Sequence, residues 1–214
     1  MDLRRLYEYR FRDVEQDRRA AVWQAIAPHV WEQMGRPARL LDPAAGRGEF
    51  VNAAPAAERW AVDLVEHAAG TFADGVRVVV ADVFEADLPQ AHFDGVFVSN
   101  FLEHLASPEE VARLLERLAA ATAPGGRIAI MGPNYRYTEK VYWDYADHVL
   151  ALTHRAIEEH LYTAGFEPER TIPRYLPYSF NGRLPASPAL VRRYLRTPPA
   201  WRVLGKQFLV IARR

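Results

Sequence analysis

Three acidic residues, Asp42, Asp63 and Asp82, follow one another at intervals of 21 and 19 residues, each closing a short apolar run. An ionised carboxylate can only accept hydrogen bonds, so an acid in such a place suits a ligand that presents donors. Asp63 fits the two hydroxyls of a ribose, and Asp82 fits an adenine amino group, with Val83 and Phe84 beside it to cover the ring. Asp42 opens the loop of LLDPAAGRGEF, in which Gly46 and Gly48 let the backbone approach a ligand that any Cβ would hold off. Ala44 and Leu64 complete this set around the loop and the ribose acid. A single acid at a strand end is more often a turn or cap residue; the series is what points to a nucleotide-like ligand.

The elements that must carry these residues are legible in the hydrophobic pattern, where short β-like runs alternate with helical stretches, as in a parallel sheet with crossover helices. Strands are expected at Ala38 to Asp42, Trp60 to Leu64, Val76 to Asp82, Phe93 to Asn100 and Arg127 to Gly132. Two closing strands, near Glu167 to Ile172 and Gln207 to Ala212, bring the total to seven. An opening helix, Asp13 to Met34, is expected to break or kink at Pro28 and to stop at Gly35. In SPEEVARLLERLAAATAPGG, Ser107 caps a helix, Pro108 suits its first position, Glu110 completes a capping box, and Pro124 to Gly126 stop it. A further helix spans Thr153 to Ala164. The expected fold is α/β: a Rossmann-like, seven-stranded, mostly parallel sheet with helices on both faces and the last strand antiparallel.

A chain of 214 residues with 50% apolar residues suits one domain, 1–214, with an N-terminal helical segment 1–35 and a basic insert or lid 175–206. The start, MDLRRLYEYRFRD, lacks the apolar stretch of a signal peptide, and no run approaches the ~20 residues that span a bilayer. Cysteine is absent, which excludes disulfides, Cys-based zinc sites and thiol nucleophiles. A cytoplasmic location is the expectation. The net charge is zero but unevenly spread, since no acid follows Glu169 and ten basic residues do.

With these motifs in view, the sequence resembles the class I S-adenosylmethionine-dependent methyltransferases over nearly its whole length. LLDPAAGRGEF stands for the glycine-rich motif, WAVDL for the ribose strand, ADVFE for the adenine strand, and FDGVFVSNFLEHL and APGGRIAIMGP for the next two. The resemblance implies S-adenosylmethionine as cofactor, bound by Asp42, Ala44, Gly46, Gly48, Asp63, Leu64, Asp82, Val83, Ser99 and Asn100, the last two under the sulfonium. Ala44 departs from the family, which usually has Gly there. A nicotinamide or flavin enzyme is disfavoured because the series runs Gly46, Gly48, Val51, and GxGxxG requires a small third residue. No P-loop, HExxH or GxSxG motif is present.

Methyl transfer is an in-line displacement, and a hydroxyl acceptor also needs a base, usually histidine near neutral pH. His104, just past the fourth strand, and His148, in YRYTEKVYWDYADHV after the fifth, border the expected methyl site. If that second segment is helical, Asp144 falls at i, i+4 from His148 and orients it, while Tyr135, Tyr137, Tyr142 and Trp143 form a substrate wall; the alternative is that the aromatics only pack on the sheet. No metal is assigned, the set weighed being Asp144, Asp147 and His148. YWDYADHVLALTHRAIEEHLYTAGF and WRVLGKQFLVIARR look like small bacterial methyltransferases found among genes for sugar polymers and glycosylated products, which implies a sugar-type hydroxyl or amine as acceptor. In the insert, Arg192 and Arg193 suit a phosphate, an anionic membrane surface or plain solvation. Nucleic acid is not an expected partner, because the body is acidic and an Asn-Pro-Pro-aromatic motif is missing. The oligomeric state is open. The competing reading is a non-catalytic S-adenosylmethionine-binding module that regulates a partner.

Overall fold

The computed structural model describes residues 3–10, 12, 16–64, 71–178 and 187–214. Asp13 and Val14 of the expected opening helix, and Arg183 and Leu184 of the basic insert, lie outside the described residues. In chain order the elements are α1 (Leu3–Arg10), α2 (Gln16–Gln33), β1 (Arg39–Asp42), α3 (Glu49–Ala53), β2 (Glu58–Asp63), β3 (Val76–Val80), β4 (Phe93–Ser99), α4 (Pro108–Ala121) and β5 (Thr122–Pro133). They continue with α5 (Tyr135–Thr138), α6 (His154–Thr163), β6 (Glu167–Ile172), α7 (Pro188–Leu195), α8 (Pro198–Leu204) and β7 (Gln207–Arg213).

One seven-stranded sheet runs in the order β3-β2-β1-β4-β5-β7-β6. The first five strands pair in parallel, and β7 lies antiparallel between β5 and β6. The central strands are apolar at nearly every position because both faces are covered. Side chains alternate between faces, so Leu41, Val96, Val98, Ile128, Ile130 and Val210 meet α4 and α6 through Val111, Leu114, Leu115, Ile157 and Leu161. Leu40, Phe97, Ala129, Met131, Leu209 and Ile211 face the opposite way, toward Val22, Ile26 and Val30 of α2, with Leu195 and Trp201.

Two local expectations are corrected, the break at Pro28 and the stop of α4 at the Pro-Gly-Gly triplet. A helix α1 precedes the expected opening helix, and α2 runs through Pro28 to Gln33 without ending there. Burial of Ile26, Ala27, Val30 and Met34 against the sheet offsets the hydrogen bond that proline cannot donate. The α4 helix ends at Ala121, before the Pro-Gly-Gly triplet, which belongs to β5, where the register with β4 shifts. In the described part of the segment 175–206, Tyr175, Leu195 and Trp201 are buried with α2, while most of α7 and α8 stays exposed. Ser107 caps α4 as read, its Oγ accepting from the Glu110 amide at 3.3 Å, while the Glu110 carboxylate reaches one residue further back and accepts from Ala106 N–H at 2.8 Å.

Candidate functional site

The loop leaving β1 is anchored before it is shaped. Ala45 N–H donates to the Val62 carbonyl of β2 at 3.0 Å, and Gly48 N–H donates to Ala45 at 2.8 Å. Between them Gly46 takes φ +54° and Gly48 φ +76°, the left-handed region open to glycine. Gly46 N–H donates to the Asp63 carboxylate at 2.7 Å, and the space where its Cβ would stand holds no atom within 4 Å. The glycine loop and the β2 acid, 17 residues apart in sequence, thus meet at the carboxyl ends of the strands with an open cradle beside them.

Asp42 is only 4% exposed. Burial pushes its carboxyl up to about 8, against the opposing hydrogen bond from the Ala44 backbone, and the nearby Asp63 adds to the rise. A stability consequence follows. The folded chain holds a proton on Asp42 that the unfolded chain releases above its ordinary value near 3.8. The stability from this group is therefore present below that value and is lost as pH rises toward about 8. Asp42→Asn, which needs no proton, is expected to melt higher than the parent at alkaline pH and to flatten the decline; thermal melts of the ligand-free protein at a series of pH values check this.

Asp82 stands after β3 and caps a turn: its Oδ1 accepts from Phe84 N–H at 2.9 Å, while its carbonyl accepts from Glu85 and Ala86. The Val83 side chain is buried in the core, and Phe84 is half-buried with the Arg113 guanidinium 4.2 Å over its ring. Leu64 is exposed. At the end of β4, Asn100 takes φ +49°, and its side-chain amide donates to Ser99 Oγ at 2.9 Å. Asn is among the few residues that tolerate this backbone.

Past β4, a 3-10 turn at Leu102–His104 and the loop 147–150 are zipped together. The Glu103 carbonyl accepts from Val149 and Leu150 at 2.8 and 3.0 Å, and His104 Nδ1 lies 2.8 Å from the Asp147 carbonyl. His104 and His148 face each other with ring centroids 5.3 Å apart. Tyr142, fully buried with its hydroxyl on the Leu150 carbonyl, and Tyr145 flank His148 at 4.6 and 5.1 Å. Tyr135 and Trp143 extend this cluster, whereas Tyr137 lies apart under Arg174. Burial pushes the His148 imidazole down to about 4, with the charge of His104 adding to the fall and that of Asp147 opposing it.

The helix that would pair Asp144 with His148 does not form. Tyr142–Asp144 is a single 3-10 turn, and the chain extends at Tyr145, so the i, i+4 spacing is lost and Asp144 is exposed. Burial of Tyr142 and the bonds to Glu103 fix the segment instead. The carboxylate beside the imidazoles is Asp147, 3.6 Å from His104 Nδ1 and held by Arg10 of α1, whose Nη1 donates to it at 3.0 Å. Burial alone would raise Asp147, but the Arg10 hydrogen bonds and the charges of His104 and Arg10 hold it below the ordinary carboxylate range. Sequence reasoning did not single out Glu103, Arg10 or Tyr178, whose ring meets Tyr145 at 5.5 Å. For Glu103 the signal was an acid enclosed by Leu102 and Leu105 in a turn that must pack on the sheet. Arg192 and Arg193 are exposed in the last turn of α7, where positive charge also complements the helix dipole.

Glycine loop, strand-end acids and doubly wound sheet define an α/β protein of the kind that places ligands beyond the carboxyl ends of its strands. A family model described as a methyltransferase domain matches residues 14–171, and the chain belongs to that family. Solved structures share the fold. A SAM dependent methyltransferase from Archaeoglobus fulgidus is 21% identical with a TM-score of 0.66, all of both chains being covered. The 1,6-didemethyltoxoflavin-N1-methyltransferase of Burkholderia thailandensis, bound to 1,6-didemethyltoxoflavin and S-adenosylhomocysteine, is 24% identical with a TM-score of 0.61 over 99% of this chain and 87% of that one. The [4+2]-cyclase SpnF is 17% identical with a TM-score of 0.63, covering 89% of this chain and 85% of its own. Among curated proteins no sequence matches. No helix among the described residues is long and apolar enough to cross a membrane.

Proposed function

We propose that this methyltransferase moves the methyl group of S-adenosylmethionine to a hydroxyl or amine of a small molecule, a sugar or phosphorylated sugar derivative, in the cytoplasm. The observation that carries the reading is the contact of the Asp63 carboxylate with Gly46 N–H, which joins the ribose acid to the glycine loop. The cofactor, when bound, supplies an electrophilic methyl carbon on a sulfonium. Asp42, Ala44, Gly46 and Gly48 hold the loop against it, Asp63 and Leu64 border the ribose, Asp82 and Val83 the adenine, and Ser99 and Asn100 the reacting end. His148 and His104 receive the acceptor, within a wall of Tyr135, Tyr142, Trp143 and Tyr145 that keeps water from the reacting atoms. Calorimetry with S-adenosylhomocysteine, followed by labelled-methyl transfer to a panel of sugars and phenols, tests the reading. Absence of cofactor binding would sink it.

A phosphate on the acceptor, free or at an anionic surface, is favoured by the exposed Arg192, Arg193 and Arg202, which share α7 and α8 with exposed Leu190, Val203 and Leu204. Arginine binds phosphate oxygens in pairs. Replacing Arg192 and Arg193 together with Ala is expected to raise KM for a phosphorylated acceptor about tenfold with kcat retained, in line with the loss of one charged hydrogen bond or more. Steady-state kinetics decide, and an unchanged KM removes phosphate from the substrate description.

A further inference from the structure

We infer that Glu103, His104 and His148 form a binding site for a divalent transition-metal cation beside the proposed acceptor wall. Their ligand atoms, one from each residue, lie within 4.8 Å of one another. Ligands at about 2.1 Å from a tetrahedral ion stand roughly 3.4 Å apart, so binding an ion would draw the three side chains somewhat closer together. Two nitrogens and one oxygen suit zinc, manganese, cobalt or ferrous iron better than magnesium or calcium, which prefer oxygen alone.

Three features distinguish the cluster from a chance grouping. The His104 ring is oriented through Nδ1 on the Asp147 carbonyl, which leaves Nε2 as the nitrogen able to bind an ion, the arrangement seen when outer partners fix a metal-binding imidazole. Nδ1 of His148 is buried without a hydrogen-bond partner of normal geometry, and an ion at the cluster would supply one. Glu103 is a carboxylate only 4% exposed, with no cationic side chain bonded to it among the described residues, and a cation would offset its burial. Arg10, whose charge acts on Glu103, is paired with Asp147.

The inference rests on this cluster bordering the methyl-acceptor site proposed above, where three protein ligands leave a position for an acceptor oxygen. An ion there would hold an acceptor hydroxyl and lower its pKa, and with both imidazoles serving as ligands the proton would pass to solvent water; the oxygen lone pair would then form the bond to the methyl carbon as the carbon–sulfur bond breaks and the sulfonium leaves as a neutral thioether. No change of metal oxidation state is involved.

The test uses full-length protein stripped with a chelator and titrated with Co2+, followed by calorimetry and by the visible absorption of the ion. S-adenosylhomocysteine binding is measured on the same samples. One Co2+ per chain is expected, with His148→Ala and His104→Ala each weakening it by more than the roughly 10–100-fold that loss of an outer partner costs. Glu103→Gln, which keeps the buried shape, is expected to weaken it as well, and circular dichroism confirms that each variant is folded. No Co2+ uptake, or uptake unchanged in folded variants, overturns the metal site. S-adenosylhomocysteine binding in those samples leaves the methyltransferase reading standing, so the two failures are separate.

Discussion

Replacing Asp63 with Ala is expected to weaken S-adenosylhomocysteine binding by at least about a hundred-fold, the largest functional loss among single substitutions in the cradle. Two kinds of interaction disappear together. The carboxylate accepts from Gly46 N–H at 2.7 Å and so holds the glycine loop, and in the proposed complex it also receives the ribose hydroxyls. Hydrogen bonds to a charged group are worth about 1.5–3 kcal/mol each, and every 1.4 kcal/mol is tenfold in affinity. Two such bonds therefore span about two to four orders of magnitude. Asp63→Asn retains one carbonyl oxygen and is expected to lose less. Asp63 is half-buried at a strand end, so folding should survive, and titration calorimetry beside a thermal melt separates lost binding from lost structure. Parental affinity in a folded Asp63→Ala protein would remove the ribose role and, with it, the main support for the cofactor site.

The largest effect on stability is expected at Gly205, where α8 ends. A Cβ there would stand 2.6 Å from the Arg174 carbonyl carbon, 2.7 Å from its oxygen and 2.6 Å from the Trp201 carbonyl oxygen. All three atoms are backbone, so no side chain can swing away. The backbone itself is held: Arg174 Nε donates to the Gly205 carbonyl at 2.8 Å, and Lys206 and Gln207 N–H donate to Leu176 at 2.7 and 2.8 Å. Gly205→Ala is expected to cost about 3 kcal/mol or more, the upper end for overpacking, and to lower Tm by roughly 6–12 °C. Differential scanning calorimetry measures it. A shift below 2 °C would mean that α8 is not docked as described.

The parts of this molecule that were legible in sequence are those where one physical demand dominates. Strands buried on both faces must be apolar throughout, so β1, β4 and β5 stand out of the chain, and α4 is marked by Ser107, Pro108 and an apolar stripe. Strand ends could be read as well, because the acids Asp42, Asp63 and Asp82 interrupt the apolar runs where each strand meets its loop. The loop after β5 was not legible, since its shape follows from long-range bonds between Glu103 and residues 149 and 150 rather than from helical spacing. The same is true of the Arg10 to Asp147 pair, whose members are 137 residues apart. No local pattern encodes such a contact. The i, i+4 pairing of Asp144 with His148 fails for this reason: it presumes a helix, and the aromatic ring of Tyr142 is buried by a tight turn instead.

Strand β7 is the last of the seven in sequence, yet it lies inside the sheet, between β5 and β6. Until it is in place β6 has no neighbour to pair with, and β5 exposes an apolar edge. Sheet closure therefore depends on contacts between distant parts of the chain, which slows folding relative to local helix formation. A nascent chain that has not yet delivered Gln207–Arg213 carries an unpaired edge of the kind that invites aggregation, so this strand acts as a late fastener for a sheet whose glycine loop and strand-end acids all lie in the first half of the chain.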